Sequence, residues 1–495
     1  MNYMEENEME MRPMVTLSLC DRTLHTEVSG DYTLPDYQPE IRRILHVIPT
    51  VLPPAKYVGN GNVELNGTVD YQVFYVGGDG GMYTLSLSSE YGGQIPMEAA
   101  DRVDLNEGIT VFATTVSEGT TTRVSGPRKL NVRCRLCSRV RAYGRMPLEV
   151  RESGCEHPSA VRRHVTEGAS MVASGSVSEG IICREEIMNV GEDARVISAV
   201  ADVFVEDCRW QAGGLRAVGE VCLRLMIARE NGSVETMTRK LPLEGEIEWD
   251  SPMADAPCCV RGTASEVEVQ VEEGRILCEV TVLLEARSLG GMPLTYVDDA
   301  YSLEQECDCR YTEHQIPVSL GCENGNFSQS ERIPLSEINF PEDANVIDAF
   351  GSAWFEECHQ NEEQYLLNGK SRYVLLCERE GEYSTLEVNL PLRYEMSGGE
   401  LTPESFDATA SVIGCRVRIE GETLCVDTEW SVVADFVGIQ PITVLSEVNF
   451  GEVLTRSRSC MTVYYPSAED TAWTVAKKYH VSPEKIAENA SYYFF

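Results

Sequence analysis

Cys134-Arg135-Leu136-Cys137 has the gap of a redox dithiol or of half a zinc site, where two thiolates can share one metal or one disulfide. On an alternating strand, however, residues three apart point to opposite faces. No second pair of suitable spacing follows, so neither chemistry is expected there. Cys155, His157 and His164 are metal-ligating types close in sequence, but no fourth ligand stands at motif spacing and they read as a solvated stretch. Cys258-Cys259 and Cys307-Asp308-Cys309 have no more support. Gly369-Lys370-Ser371 has the ending of a phosphate-binding loop, yet Gln364 stands where that motif needs Gly. No Gly-x-Ser-x-Gly, His-Glu-x-x-His or dinucleotide fingerprint appears, and seven His among 79 acidic side chains single out no acid–base pair. The chain reads as a non-enzyme without cofactor or metal.

Arg133, Arg135, Arg139 and Arg141 share one parity along a strand, with Arg128 and Lys129 just before it. They form a basic stripe, which as a docking surface would suit an acidic partner such as the acidic second or third unit of another copy. The chain around it is strongly acidic: 41 basic and 79 acidic side chains give −38, of which residues 1–150 carry only −5. Nucleic acid is excluded as a partner, because phosphate contacts need Lys and Arg on the contact face. The first residues, Met-Asn-Tyr-Met-Glu-Glu-Asn-Glu, are acidic where a signal peptide would be basic, and no apolar run approaches the roughly 20 residues of a membrane span. A cytoplasmic protein that does not span membranes is expected. Its 18 Cys are dispersed and read as reduced, small hydrophobes.

The elements that would position these residues recur. Pro39-Glu40-Ile41-Arg42-Arg43-Ile44-Leu45 aligns with Gly191 to Ile197 and with Pro341 to Ile347, at offsets of 152 and 150. Gly67, Gly219 and Gly369 follow at the same offsets, then Gly80, Gly232 and Gly381, then Pro96, Pro242 and Pro391. Each unit closes near Met146-Pro147-Leu148, Met292-Pro293-Leu294 or Gln440-Pro441-Ile442. Four landmarks in one order imply three homologous domains. Val69 to Val76 is β-branched and aromatic, breaks at Gly77-Gly78-Asp79-Gly80 and resumes from Tyr83 to Ser88, which is a hairpin. Its counterparts turn at Glu230-Asn231-Gly232 and Arg379-Glu380-Gly381. A second hairpin runs from Val267 through Gly274 to Leu284, and again from Cys415 through Gly421 to Val433. Only the Glu40, Glu192 and Glu342 runs have helical character. The fold expected is mainly β: three tandem antiparallel β-sandwich-like repeats with short helices over 15–150, 165–298 and 315–448, linked around 150–165 and 298–318.

Residues 460–495 differ. A short strand, Met461 to Tyr465, leads into Ala472, Val475, Ala476 and Tyr479 at helical spacing, with Asp470 or Thr471 as cap and Lys477 and Lys478 at the far end. Ser482-Pro483-Glu484 then starts a second helix. This stretch resembles a LysM module, whose hallmark is Gly-Asp-Thr-Leu-Trp-x-Ile-Ala-Lys-x-Tyr followed by a second helix and an Asn. Asp470, Thr471, Trp473, Ala476, Lys477, Tyr479, Val481, Ile486 and Asn489 match, while Glu469 and Ala472 replace the family's Gly and Leu. The resemblance implies a βααβ fold, for whose closing strand only Tyr492 to Phe495 remain, with Asp470, Thr471, Trp473, Lys477, Tyr479, Ile486 and Asn489 as the partner-binding set.

Tandem acidic β units with a C-terminal LysM, together with Leu34-Pro35-Asp36-Tyr37-Gln38-Pro39-Glu40-Ile41, resemble the SPOCS-domain plus LysM family of spore-forming Firmicutes, the SipL-like coat morphogenetic proteins. The resemblance implies a mother-cell cytoplasmic scaffold at the forespore surface or spore coat. Its LysM would bind a coat morphogenetic ATPase of the SpoIVA type. The alternative is a LysM that holds the N-acetylglucosamine glycan of peptidoglycan, and a third reading is a hydrolase in an unfamiliar β fold.

Overall fold

The computed structural model describes residues 13–98, 108–188, 194–229, 233–249, 256–272, 274–341, 343–399, 401–455 and 470–490, with residues 103, 105, 190, 191, 253, 464, 465 and 467. Strands dominate, as the alternating pattern requires. The first seven are β1 (Met14–Thr33), β2 (Ile41–Val51), β3 (Ala55–Gly59), β4 (Asn62–Gly77), β5 (Met82–Pro96), β6 (Thr110–Gly126) and β7 (Lys129–Pro147). One sheet orders β1-β7-β6, and the other pairs β4 with β2, β3 and β5, all antiparallel. The two face each other across Val69, Tyr71 and Val73 on one side and Leu130, Val132, Cys134 and Leu136 on the other. Burial of such side chains is worth about 1.5–3 kcal/mol each and holds the layers together.

The same pairing recurs twice. After β8 (Arg151–Ser153) come β9 (Val161–Val177), β10 (Ile181–Ile187), β11 (Arg195–Gln211), β12 (Gly214–Ala228), β13 (Val234–Glu248), β14 (Cys258–Glu272) and β15 (Arg275–Ser302). Here β9 and β10 together take the place of β1 beside β15, β14 lies on its other side, and β11-β12-β13 form the facing sheet. Then β16 (Gln305–Pro334), β17 (Asn345–Asn361), β18 (Gln364–Arg379), β19 (Glu382–Ser397), β20 (Ser405–Glu420) and β21 (Thr423–Val453) pair as β16-β21-β20 and β17-β18-β19. In this last set the sheets join at one corner through Ala353 and Trp354 of β17 against Ala410 and Thr409 of β20.

Local turn chemistry follows the sequence. Glu380 (φ 52°) and Gly381 (φ 80°) make the two-residue turn between β18 and β19, and Gly80, Gly274 and Gly421 also take positive φ at hairpin tips. The turn at 230–232 lies outside the described residues. Gly219 and Gly369 have a different role. They sit opposite bulges in β11 and β17, where a Cβ would lie 1.9 Å from the Phe204 oxygen and 2.1 Å from the Trp354 oxygen. Close backbone approach therefore requires Gly.

Two expectations are corrected. The run from Glu40 is not helical: Ile41 begins β2, and the chain from Arg195 and from Asn345 is likewise extended. Glu192 and Glu342 lie outside the described residues. The stretch 298–318 is no linker, since β15 and β16 run through nearly all of it, and 150–165 contains β8, a 3-10 turn at Pro158–Ala160 and the start of β9. β8 pairs in parallel with Glu447–Asn449 of β21, tying the segment after β7 to the last sheet.

The three strand sets close around a common axis. Leu45, Ile197 and Ile347 each occupy a bulge in β2, β11 and β17, so their carbonyls are free of the ladder. Thr84 of β5 donates to the Ile197 carbonyl, Thr236 of β13 to Ile347 at 3.5 Å, and Thr385 of β19 to Leu45 at 3.1 Å. Each set thus hands one hydrogen bond to the next, in a ring. Phe74, Met226 and Leu376, the ladder partners of those threonines, pack inside it with Phe350 and Met82.

Candidate functional site

The last described segment forms α1 (Ala472–Tyr479) and α2 (Pro483–Ala490). Thr471 caps α1: its Oγ1 accepts from the Thr474 N–H at 3.1 Å, and its own N–H donates to Thr474 Oγ1 at 2.9 Å. This reciprocal box satisfies donors that a helix start leaves unpaired. Asp470 does not cap α1 but tethers the preceding chain. It accepts from Ser467 N at 2.6 Å, Ser467 Oγ at 2.9 Å and Tyr464 Oη at 2.8 Å, which hold its carboxyl below the usual range. His480 ends α1 in the left-handed region, and its N–H returns to the Ala476 and Lys477 carbonyls.

The helix pair is docked on the β scaffold. Trp473 Nε1 donates to Asp299 Oδ2 at 2.9 Å, and Lys477 Nζ lies 2.5 Å from Asp299 Oδ1. Tyr311 of β16 donates to the same carboxylate at 2.8 Å. Burial alone would raise the Asp299 carboxyl, but these three donors outweigh it and hold it low. The Trp473 ring packs 4.9 Å from Tyr301 and 5.0 Å from His164, whose Nδ1 is 2.6 Å from Asp298. Tyr301 Oη donates to the Val481 carbonyl at 2.6 Å, and His480 Nδ1 meets the Ser302 carbonyl at 2.8 Å. Val475 and Ala476 are buried, while Tyr479 is exposed at its edge and packs on Tyr464. Ile486 is half-buried on α2. The Asn489 side chain, a strand at 461–463 and a closing strand at 492–495 lie outside the described residues.

The arginine stripe divides along β7. Arg133 and Arg135 are exposed, and Arg133 pairs loosely with Glu27 at 3.8 Å. Arg139 is half-buried between Asp21 at 3.4 Å and the Phe406 ring. Arg141 corrects the reading of a surface stripe, for it is 1% exposed and inside the protein. Its Nη2 donates to Asp435 Oδ2 at 2.7 Å, Nη1 stands 2.5 Å from Oδ1, and Asp407 lies 3.9 Å away. Arg287 of β15 donates to Asp407 Oδ2 at 2.5 Å and to Thr114 Oγ1 at 2.6 Å, and Thr114 in turn donates to Asp407. Both guanidinium groups pack over the Phe112 ring, at 5.9 and 5.5 Å from its centroid. Next to them, Glu285 takes Lys56 at 2.6 Å.

This buried layer balances two guanidinium groups with two carboxylates drawn from strands of all three sets, the arrangement in which desolvated charges persist. Burial would raise the Asp407 carboxyl, but Arg287 and Arg141 overcome it and hold it down at about 2. Arg141 is correspondingly raised well above its ordinary value by Asp435 despite its burial. Beside the layer an axial cavity of about 280 Å³ is lined by β2, β6, β11, β14, β17 and β20. Burial pushes the Asp202 carboxyl on its wall up to about 6, against the pull of Arg224, and pushes the His46 imidazole down to about 4.

Asp299, Tyr301, Arg287, Asp407 and Asp435 were not singled out from the sequence, and His164, read there as part of a solvated stretch, instead packs on Trp473 and meets Asp298. A signal existed for Arg287, which with Glu285 and Ser288 interrupts the apolar run from Val282 to Leu289 on a strand. Asp298-Asp299 similarly interrupts Val297 and Tyr301. Among the described residues no helix is long and apolar enough to cross a membrane. Comparison of the chain with protein-family models, with curated proteins and with solved structures finds no match.

Proposed function

We propose that this protein is a non-enzymatic morphogenetic scaffold of the spore coat, in which the C-terminal helix pair presents a surface to a coat-assembly partner, an ATPase of the SpoIVA type. The observation that carries the reading is the use of Trp473 and Lys477. Both are spent on Asp299, and the indole is packed against Tyr301 and His164. A sugar-binding groove would leave such an aromatic free to stack on a ligand. Here it joins the helices to the scaffold, so the outward groups of α1, among them Thr474 and Lys478, are what a partner would meet. That favours recognition of a protein surface over a glycan. The ring of threonine bonds and the buried charge layer support a rigid body suited to assembly, and the exposed acidic strands keep it soluble.

The test offers the full chain and its Trp473→Ala variant, matched for folding by circular dichroism, to two immobilised targets. One is a purified SpoIVA-type ATPase, the other insoluble peptidoglycan. Capture by the ATPase alone is expected, weakened about tenfold or more by Trp473→Ala because the helix pair then loses its seat on Asp299 and Tyr301. Retention on peptidoglycan alone would replace the scaffold reading with glycan binding, and retention on neither would end the assignment of the helix pair as a docking element.

A further inference from the structure

We propose that His25, Glu118 and Cys137 form a binding site for a divalent transition metal of the zinc type on the outer face of the β1-β7-β6 sheet, with one coordination position left open. The site goes beyond the scaffold reading and does not depend on it. His25 of β1 and Cys137 of β7 are direct ladder partners, which places their side chains side by side on one face. Glu118 comes from the opposite neighbour, β6. It is the extra residue of a bulge between Ser117 and Gly119, and Gly119 takes φ +152° to make that bulge. Bulges re-aim side chains, and this one sets Glu118 beside Val116, the β6 partner of Cys137.

The three donor atoms lie within 4.8 Å of one another, and His25 Nδ1 is already 3.1 Å from Glu118 Oε1. Tetrahedral zinc with bonds of about 2.0–2.3 Å needs its donors about 3.3–3.7 Å apart, so rotation of the Cys137 side chain closes the set. Imidazole, thiolate and carboxylate together suit zinc and its neighbours, whereas calcium and magnesium take oxygen ligands alone. His25 and Glu118 are 62% and 37% exposed at their side chains, which gives a metal an open entry and leaves the fourth position to water or an incoming ligand. Of the nearby cations, Arg139 faces Asp21 and Arg372 beside Gly119 pairs with Glu387, while the exposed Arg135 stands opposite Glu27, which Arg133 approaches at 3.8 Å. Cys134 takes no part. It is buried on the other face, with Ser117 Oγ at 3.3 Å, so the Cys134–Cys137 spacing that draws attention in the sequence is not the ligand pair. Burial pushes the Cys137 thiol up, so binding must displace its proton.

The test is titration of the reduced full chain with Co²⁺, read by visible absorption. One saturable equivalent with thiolate-to-cobalt charge transfer and tetrahedral d–d bands is expected, displaced by Zn²⁺. Cys137→Ser should remove the charge-transfer band, and His25→Gln and Glu118→Gln should each weaken binding about tenfold or more. The side chains lie at the surface, and each variant is matched to wild type by circular dichroism and thermal midpoint. Zn²⁺ should raise the wild-type midpoint and leave that of Cys137→Ser unmoved. Because the chain has 18 Cys, the decisive comparison is between wild type and Cys137→Ser. Absence of a saturable equivalent, or a charge-transfer band that survives Cys137→Ser, overturns the site.

Discussion

Arg141→Ala removes a guanidinium from a layer where its partner Asp435 is 2% exposed. Breaking one partner out of a buried pair costs about 3–5 kcal/mol, because a desolvated charge is left uncompensated. Arg287 remains, 3.7 Å from Asp435 and 2.5 Å from Asp407. Arg287, which also meets Glu285 at 3.5 Å, must then serve Asp407 and Asp435 with Arg261 beside it, which places the expected loss at about 3 kcal/mol. The paired replacement Arg141→Met with Asp435→Leu removes both charges and refills the space. It should return to within about 1 kcal/mol of wild type, since desolvated pairs can be exchanged for apolar groups of like volume. The effect depends on pH in a defined direction. Asp407 titrates at about 2 in the folded chain, below its ordinary value, so it contributes on the order of 2 kcal/mol above about pH 4, lost as the pH falls from 4 through 2. Losing Arg141 lessens that depression, so the variant should lose less of its stability to acid over this window. Urea midpoints of wild type, Arg141→Ala, the single variants Arg141→Met and Asp435→Leu, and their double variant at pH 7 and pH 3 test this, with midpoints used because a chain this long need not unfold in two states. If Arg141→Ala shifts stability by less than about 1 kcal/mol, or if the double variant is as unstable as the sum of the singles, the layer is not a coupled charge network and the reasoning fails.

The Asp202 carboxyl titrates at about 6 in the folded chain, above its ordinary value, so its ionisation costs stability as the pH rises from about 4 through 6. Asp202→Asn should therefore raise the urea midpoint by the equivalent of about 1–3 kcal/mol at pH 7.5 and leave it nearly unchanged at pH 4; equal effects at both would contradict the burial of the carboxyl. Gly369→Ala would bring a Cβ within 2.1 Å of the Trp354 carbonyl and should cost about 2 kcal/mol or more in thermal or urea melts. Gly414→Ala, where a Cβ meets nothing within 4 Å, should stay within about 0.5 kcal/mol.

Features decided by neighbours in the chain were legible. Glu380-Gly381 and Gly421 gave the hairpins because a tight turn needs positive φ whatever surrounds it. Thr471 capped α1, and Ser482-Pro483 preceded α2, because a cap acts over three or four residues. The Glu40 run misled for a reason that lies in the chain itself. Two bulges in β2 break its alternation and leave Ile41, Ile44, Leu45 and Ile48 at helical spacing. A pattern-based reading of that segment follows the spacing and misses the strand.

Strand parity also fixed, from the sequence alone, that Arg133, Arg135, Arg139 and Arg141 share a face of β7. Parity says which face a side chain takes, not what covers it. β7 is 19 residues long and packs its even-numbered residues on its own facing sheet as far as Val140 and Ala142, while the other face at Arg141 is covered by strands from residues some 150 and 290 positions away, which bring Arg287, Asp407 and Asp435. In the same way Trp473 was legible as a helix residue, while Asp299, its partner 174 positions earlier, was not. The alternating pattern and turn residues determined that this chain is built of antiparallel strands ending in two short helices. Only the tertiary structure decided which charges are buried and where the helix pair rests, because those outcomes depend on groups far apart in sequence that meet when the sheets close.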